Sequence, residues 1–374
     1  PNVNLPDTET VKAVLAHRFH VMSDYFRGVI APTHAACYRR HADVQLTWAC
    51  DLKLDKARAL ARDFEIPQVT ADVRQMLAAP DVDLVSICTD HASHAPIACA
   101  ALEAGRHVLC EKALAHDTAG LDAMLKAGDA HPELVFAGIF QHRHEPLNQR
   151  IRDMILDGTL GTLLTAGMQM RCWRGPEYYN ADAWRGTWKQ EGGAVLINQA
   201  IHYIDLLQWM AGGVRTVAGT YVNLAHRDCM ETEDAATATL GFANGAVGTI
   251  EATCASHVDW EPSMQFHGTE GAIELRHDRP VKVTFRNPET EARVKAELDA
   301  CTEETERLGK SYYGGGHGAQ ISDVLEAVRS GGKPYVTARA AAETVDLVLG
   351  IYAAHRGGRR VALAPRLPTR AATA

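Results

Sequence analysis

Two short stretches hold the side chains best suited to chemistry. In His107-Val108-Leu109-Cys110-Glu111-Lys112, an apolar run introduced by Gly105 ends abruptly in a carboxylate and an amine. A strand apolar on both faces reads as the interior of a parallel sheet, and chemistry in such sheets gathers at the carboxyl ends of the strands, which makes Lys112 the first candidate. From Gly192 to Gly212 the apolar residues recur at helical spacing up to a glycine stop. Asn198 and His202, four apart, share a face of that helix, and Asp205 follows one turn on. A polar stripe inside so apolar a helix is costly unless it is paired or functional. His202 is its only group that titrates near neutrality, so it is the candidate acid or base, with Asn198 orienting the substrate. A satisfied core histidine is the plain alternative.

Other residues suit ligand binding. The loop from Arg174 to Trp188 interleaves Tyr179, Trp184 and Arg185 with asparagine and glycine. Such a mixture suits the apolar faces and hydroxyl edges of a sugar or cyclitol, and suits a subunit interface equally. Asp51 directly follows an apolar strand, where a dinucleotide fold places an acid against ribose hydroxyls and where aspartate also caps a helix. His317, beside Gly314-Gly315-Gly316, could reach a substrate or simply start a helix. The glycine-rich phosphate loop expected after the first strand is missing, since Ala16 to Tyr25 contains no glycine before Gly28. Either Arg18 or a protonated histidine meets phosphate by side chain, or the pocket serves something else. His17 and His20 also resemble a metal pair, but no third and fourth ligand follows at short spacing, and no metal is expected.

These residues need a frame. From Val11 to about Arg143, apolar runs at 11–16, 44–50, 82–89, 107–110 and 134–140 alternate with helical patterns at 53–64, 73–79, 93–104 and 118–130. Such alternation predicts a Rossmann-type, doubly wound parallel sheet of the α/β class over residues 1–143. Residues 144–374 read as an α+β domain. Strand patterns at 163–173, 216–225, 236–242, 246–256, 264–267 and 272–275, with turn signals at Ala243-Asn244-Gly245 and Thr269-Glu270-Gly271, predict a large, mostly antiparallel open sheet. Two terminal helices, at 317–330 and 338–355, are expected to pack back on the first domain.

A length of 374 residues favours two domains, and 46% hydrophobic with 22% charged residues is ordinary for a soluble protein. A formal net charge of -8 argues against a broad nucleic-acid surface. The nine cysteines form no C-x-x-C pair and fall mostly in apolar runs, as expected for a reducing cytoplasm. The polar start lacks a signal core, and no apolar run reaches membrane-spanning length, so no membrane partner is expected.

Three segments together resemble the Gfo/Idh/MocA family of glucose-fructose oxidoreductase and inositol dehydrogenase-like enzymes. They are ASHAPIACAALEAGRHVLCEKALA (92–115), WRGTWKQEGGAVLINQAIHYIDLLQW (184–209) and HGAQISDVLEAVRSGGKP (317–334). The resemblance implies a Rossmann domain, a second domain whose open sheet makes a homodimer or homotetramer, and nicotinamide chemistry on a small carbohydrate-like substrate. In it Lys112 and His202 act on a hydroxyl or carbonyl. Asp51, Arg18, Thr89, His94 and Glu111 stand on the cofactor side, and Tyr179, Trp184, Arg185, Gln199 and His317 on the substrate side. The sequence departs from the family pattern at Ala113 (proline), Asn198 (aspartate) and Thr89-Asp90-His91 (T-P-N), and in the glycine fingerprint. The leading expectation is an NAD(H)-dependent dehydrogenase of a sugar, glycoside or cyclitol, Asp51 favouring NAD over NADP. A lyase, isomerase or hydrolase needing no cofactor, and a catalytically silent sensor or partner subunit, are the alternatives.

Overall fold

Short runs of Val, Ile, Leu and Cys form strands because their branched or compact side chains suit a pleated surface buried on both sides. The computed structural model describes residues 11–17, 30–307 and 315–366. Its backbone contacts divide the chain into two units, Pro1–Gln141 with Ser311–Ala341, and His142–Lys310 with Ala342–Ala374.

The first unit runs β1 (Val11–His17), α1 (Ile30–Tyr38), β2 (Val44–Cys50), α2 (Leu54–Phe64), β3 (Gln68–Thr70), α3 (Val73–Leu77), β4 (Leu84–Cys88), α4 (His91–Glu103), β5 (His107–Cys110), α5 (Thr118–Ala130) and β6 (Phe136–Gly138). All pairings are parallel, in the order β3-β2-β1-β4-β5-β6. That is the doubly wound order, with its switch point between β1 and β4, where such folds open a crevice at the strands' carboxyl ends. Every residue of β4 is buried, as a strand covered on both faces must be. One face is covered by α1 together with Ile321, Val324, Leu325 and Val328 from further along the chain.

The second unit holds α6 (Pro146–Leu156), β7 (Leu163–Arg171), α7 (Pro176–Asn180), a π-helical turn (Val195–Gln199), α8 (Ile201–Met210), β8 (Val214–Val222), β9 (Ala235–Phe242), β10 (Val247–Thr253), β11 (Ser263–Gly268), β12 (Gly271–Arg276), β13 (Arg279–Phe285) and α9 (Pro288–Arg307). The chain then forms α10 (Gly315–Ser330) in the first unit, α11 (Ala338–Gly357), which enters the second unit at Ala342, and β14 (Val361–Ala362). The large sheet is ordered β13-β12-β11-β7-β10-β9-β8-β14. Only β7 and β10 pair in parallel within it. Alternation along β9 and β10 buries Ala236, Ala238, Leu240, Ile250 and Ala252 and exposes Thr239, Val247 and Thr249.

The fold class is the one the sequence predicts, but four helices are additional to it, the shortest being α7 within the loop expected from Arg174 to Trp188. Helix α1 follows a stretch without clear periodicity. Helix α6 buries Leu147, Ile151, Met154 and Ile155 at good helical spacing, and only its position between two stronger patterns hides it. Helix α9 buries little beyond Val294 and Leu298 in an otherwise charged segment, too narrow a stripe to register. Among the described residues no helix is long and apolar enough to cross a membrane.

Candidate active site

In the first unit, β5 delivers Glu111 and Lys112 to the carboxyl edge of the sheet. The Glu111 amide donates to the Ile87 carbonyl, continuing the ladder one residue past the strand. Its side chain is 5% exposed and fully engaged. Oε1 accepts from Nε2 of His34 at 3.0 Å and of His317 at 3.2 Å, and Oε2 accepts from the Lys112 amide at 3.1 Å. Burial alone would favour the neutral acid, but the two imidazoles overcome it and hold Glu111 well below the usual carboxylate range. His34 Nδ1 lies 2.7 Å from the Ser86 hydroxyl oxygen, which accepts from the Tyr38 hydroxyl at 3.4 Å. The three buried side chains also have the donor types and spacing of a two-histidine, one-carboxylate metal set, within 4.8 Å of one another. Hydrogen bonds already account for their arrangement. Lys112 itself is half-buried, and the Lys112–Ala113 peptide is cis.

Other residues expected on the cofactor side are placed as follows. Asp51 is 2% exposed directly after β2, where its Oδ1 accepts from the Lys53 amide at 2.7 Å, so it shapes the entry to α2. Thr89 directly follows β4, and its hydroxyl donates to the Asp90 carbonyl at 3.3 Å. The ring nitrogens of His94 lie against the carbonyls of Ala113 (2.8 Å) and Thr89 (3.1 Å), tying the loop after β5 to that after β4. Arg18 and His20 lie outside the described residues, as does the side chain of His17.

A nicotinamide dinucleotide fits what is described. Helix α1 begins at Ile30, thirteen residues beyond the end of β1, and Ala31 on it is fully buried. In the sequence, Gly28-Val29-Ile30-Ala31 is the last half of G-x-G-x-x-G/A, whose third position must be small for the helix to pack closely on the sheet. The fingerprint expected immediately after β1 is therefore matched in part by residues just before and within α1, a signal hidden by the long connection. Three residues beyond β6, Gln141 is 3% exposed and its Oε1 has no hydrogen-bond donor among the described residues, as expected of an acceptor meant for a ligand amide.

In the second unit, the segment from Gly192 to Gly212 is not one regular helix. The Ala200 amide bonds to Val195 O, five residues back, so the chain widens into a π turn where Asn198 sits, a distortion common at functional sites. Glu233, fully buried, anchors this turn by accepting from the amides of Ala194 and Leu196 at 3.1 and 3.0 Å and from the Tyr352 hydroxyl at 2.7 Å. Gly193 enters at φ +150°, and a Cβ there would run into the Tyr352 hydroxyl.

His202 is 8% exposed, its ring edge-on to that of His142 at 5.3 Å. Asn198 Nδ2 donates to Glu191 at 2.5 Å and to the Tyr178 hydroxyl at 3.3 Å, and Gln199 Nε2 donates to the same hydroxyl at 2.9 Å. The Arg185 guanidinium lies 4.2 Å from the Tyr178 ring centre and 4.8 Å from that of Trp184. Of the adjacent tyrosines, Tyr178 therefore reaches this polar face, while Tyr179 is 3% exposed and donates to Cys254 Sγ. Asp205 does not belong to the face. It forms a bidentate pair with Arg143 at 2.8 and 2.5 Å and accepts from Thr344 at 2.6 Å, all buried. Of the expected substrate-side residues, Gln199 and Arg185 thus contact Tyr178, Trp184 lies against Arg185, and His317 is bonded to Glu111 in the first unit. The sequence reading missed Tyr178, Glu191, His34 and His142.

His142 donates to Glu145 at 2.7 Å, and Asn148 steadies that carboxylate at 2.9 Å. Burial would lower the imidazole's pKa, but the Glu145 charge and hydrogen bond, aided by Asp278 and Asp205, raise it to about 9. A histidine raised in the folded state contributes stability that is fully present below its ordinary pKa and lost as pH climbs through the folded value. Melting curves should therefore show wild type losing its advantage over Glu145→Gln between about pH 6.5 and 9. An advantage that is constant across this range would contradict the pairing.

Residues 27–139 match the domain described as "Oxidoreductase family, NAD-binding Rossmann fold", and residues 152–363 match the "Oxidoreductase family, C-terminal alpha/beta domain". The chain belongs to the Gfo/Idh/MocA oxidoreductase family. Among similar members, levoglucosan dehydrogenase of Pseudarthrobacter phenanthrenivorans is 28% identical over 63% of this chain and 67% of its own. D-glucoside 3-dehydrogenase of Escherichia coli is 31% identical over 58% of this chain and 62% of its own. The WlbA dehydrogenase of Bordetella pertussis, solved with NADH and UDP-GlcNAcA, superposes with a TM-score of 0.84 at 26% identity, covering 95% of this chain and 98% of its own. A Gfo/Idh/MocA member thus presents a Rossmann unit with Glu111 and Lys112 at its sheet edge and a second unit with a polar cluster just before His202 in the chain.

Proposed function

We propose that this oxidoreductase is NAD(H)-dependent and interconverts a hydroxyl and a keto group on a sugar, glycoside or cyclitol. The observation that carries the reading is the polar cluster just before His202 in the chain, where Asn198, Gln199, Tyr178 and Arg185 set amides, a hydroxyl and a cation on aromatic rings. Such a surface complements a polyhydroxylated ring, whose edges bond amides and hydroxyls while its C–H faces rest on aromatics. The sugar dehydrogenases among the relatives support the same class.

In this reading Lys112 and His202 hold and move the proton of the reacting hydroxyl, and Asn198 orients that oxygen. Nicotinamide, when bound, supplies or accepts the hydride. Glu111, clamped by His34 and His317, fixes the backbone from which Lys112 extends. With a dinucleotide bound, Asp51 would hold the adenosine ribose, Ala31 would let α1 pack close enough to meet the phosphates, and Gln141 would accept from the carboxamide. A carboxylate at position 51 repels a 2′-phosphate, so NAD is preferred to NADP. Calorimetric titration is expected to show saturable NADH binding with NADPH at least about tenfold weaker, the gap narrowing in Asp51→Ala. Equal binding of both, unaltered by that substitution, would remove Asp51 from the site.

A further inference from the structure

The strongest unexplained group is Glu191, whose side chain is wholly excluded from solvent although it lies only seven residues before Asn198. A carboxyl in that position is costly unless its oxygens are engaged. Both are. Oε2 accepts from the Gly186 amide at 2.5 Å and Oε1 from Asn198 Nδ2 at 2.5 Å. Asn198's second amide hydrogen goes to the Tyr178 hydroxyl at 3.3 Å, so the amide presents its nitrogen to Glu191 and Tyr178 and keeps its carbonyl oxygen on the other side. Turning the amide over would bring that carbonyl against the carboxylate, acceptor against acceptor, so Glu191 locks one of the two orientations open to an asparagine.

We propose that Glu191 is a positioning residue of the substrate face, a buried carboxylate that fixes the Asn198 amide in one orientation. The proposal rests on the reading of the polar cluster before His202 as the substrate's. It also joins the Trp184-Arg185-Gly186 loop to the π turn through one side chain. Burial raises the Glu191 carboxyl to about 7, against the opposing pull of the Gly186 amide, the Arg185 charge and the Asn198 amide. The titratable and charged groups around it are Arg185, Glu233, Tyr178, Tyr179 and Tyr352. Protonation would make one oxygen a donor and release the hold on Nδ2, so the face is set correctly only above neutrality.

The test uses the full chain, NAD⁺ and whichever sugar or cyclitol of a panel the wild type oxidises, followed from pH 5.5 to 9 with melting curves in parallel. Glu191→Gln is expected to lower kcat/KM about tenfold or more and to abolish the acid limb near pH 7. The exchanged pair Glu191→Gln with Asn198→Asp restores a carboxylate and an amide in contact and is expected to recover most of that loss. Asn198→Asp alone sets two carboxyls together and should lose activity at pH 8 while regaining part of it as pH falls. This third variant carries the test should Glu191→Gln not fold. A folded Glu191→Gln with the wild-type pH profile, an exchanged pair no better than the single change, or an Asn198→Asp as active as wild type at pH 8 would each overturn the proposal. A wild type that binds NADH but oxidises nothing in the panel would instead remove the substrate reading, and the proposal with it.

Discussion

Lys112→Met is expected to lower kcat by about 10²- to 10⁴-fold, the range of a positioned acid or base, with NADH affinity little changed. Methionine keeps the length and apolar stem of lysine and removes only its charge and protons, so the frame built by Glu111, His34 and His317 should persist. Lys112→Arg separates the two things lysine could supply. Arginine keeps the charge but does not give up its proton in proteins, so a role in proton transfer predicts a defect nearly as deep as that of methionine. Near-normal turnover in Lys112→Arg would mean that the group acts by charge alone. Single-turnover absorbance at 340 nm, with and without each substitution, distinguishes these outcomes.

The second large effect is on stability. Asp205→Ala is expected to cost about 3–5 kcal/mol, because it leaves the Arg143 guanidinium as a buried charge without its carboxylate. The pair is bidentate, with side chains 4% and 1% exposed, and Asp205 also receives the Thr344 hydroxyl. The Arg143 guanidinium also lies 5.6 Å from the Trp209 ring centre, a contact too weak to compensate. Replacing both partners by apolar residues, Arg143→Met with Asp205→Leu, should recover much of the loss, since a buried ion pair repays little more than its own desolvation. Urea denaturation of the singles and the double measures this. A single substitution that costs under about 1 kcal/mol would show that the pair is solvated.

What the sequence revealed about this frame depended on whether the signal was local. Lys112 stands out because a four-residue apolar strand and the charges that end it are adjacent in the chain. Asn198 and His202 stand out because helical spacing puts them on one face. Asp205 has the same spacing, yet its carboxylate is committed to Arg143, sixty-two residues away, which no local pattern reveals. The clamp on Glu111 is made by residues 77 and 206 positions distant, so no local pattern reveals His34 or shows that His317 bonds Glu111. Tyr178 and Tyr179 are neighbours on a five-residue helix, and only tertiary packing decides which faces Asn198. Glu191 was close enough to be noticed. It sits in a glycine-rich approach to the helix, where acidic residues usually meet solvent, and nothing in its neighbours signals burial. The phosphate segment is hard to read for a related reason, since in the chain Gly28 and Ala31 come just before and within α1 rather than directly after β1.

Hydride transfer itself tests the account most directly. Purified protein mixed with NAD⁺ and a panel of pyranosides, anhydrosugars, nucleotide sugars and cyclitols should raise absorbance at 340 nm with at least one of them, and His202→Ala should abolish the rise. Failure to bind NADH or NADPH, together with cofactor-independent turnover of a keto-sugar that His202→Ala abolishes, would contradict nicotinamide chemistry and assign the same residues to a non-redox reaction.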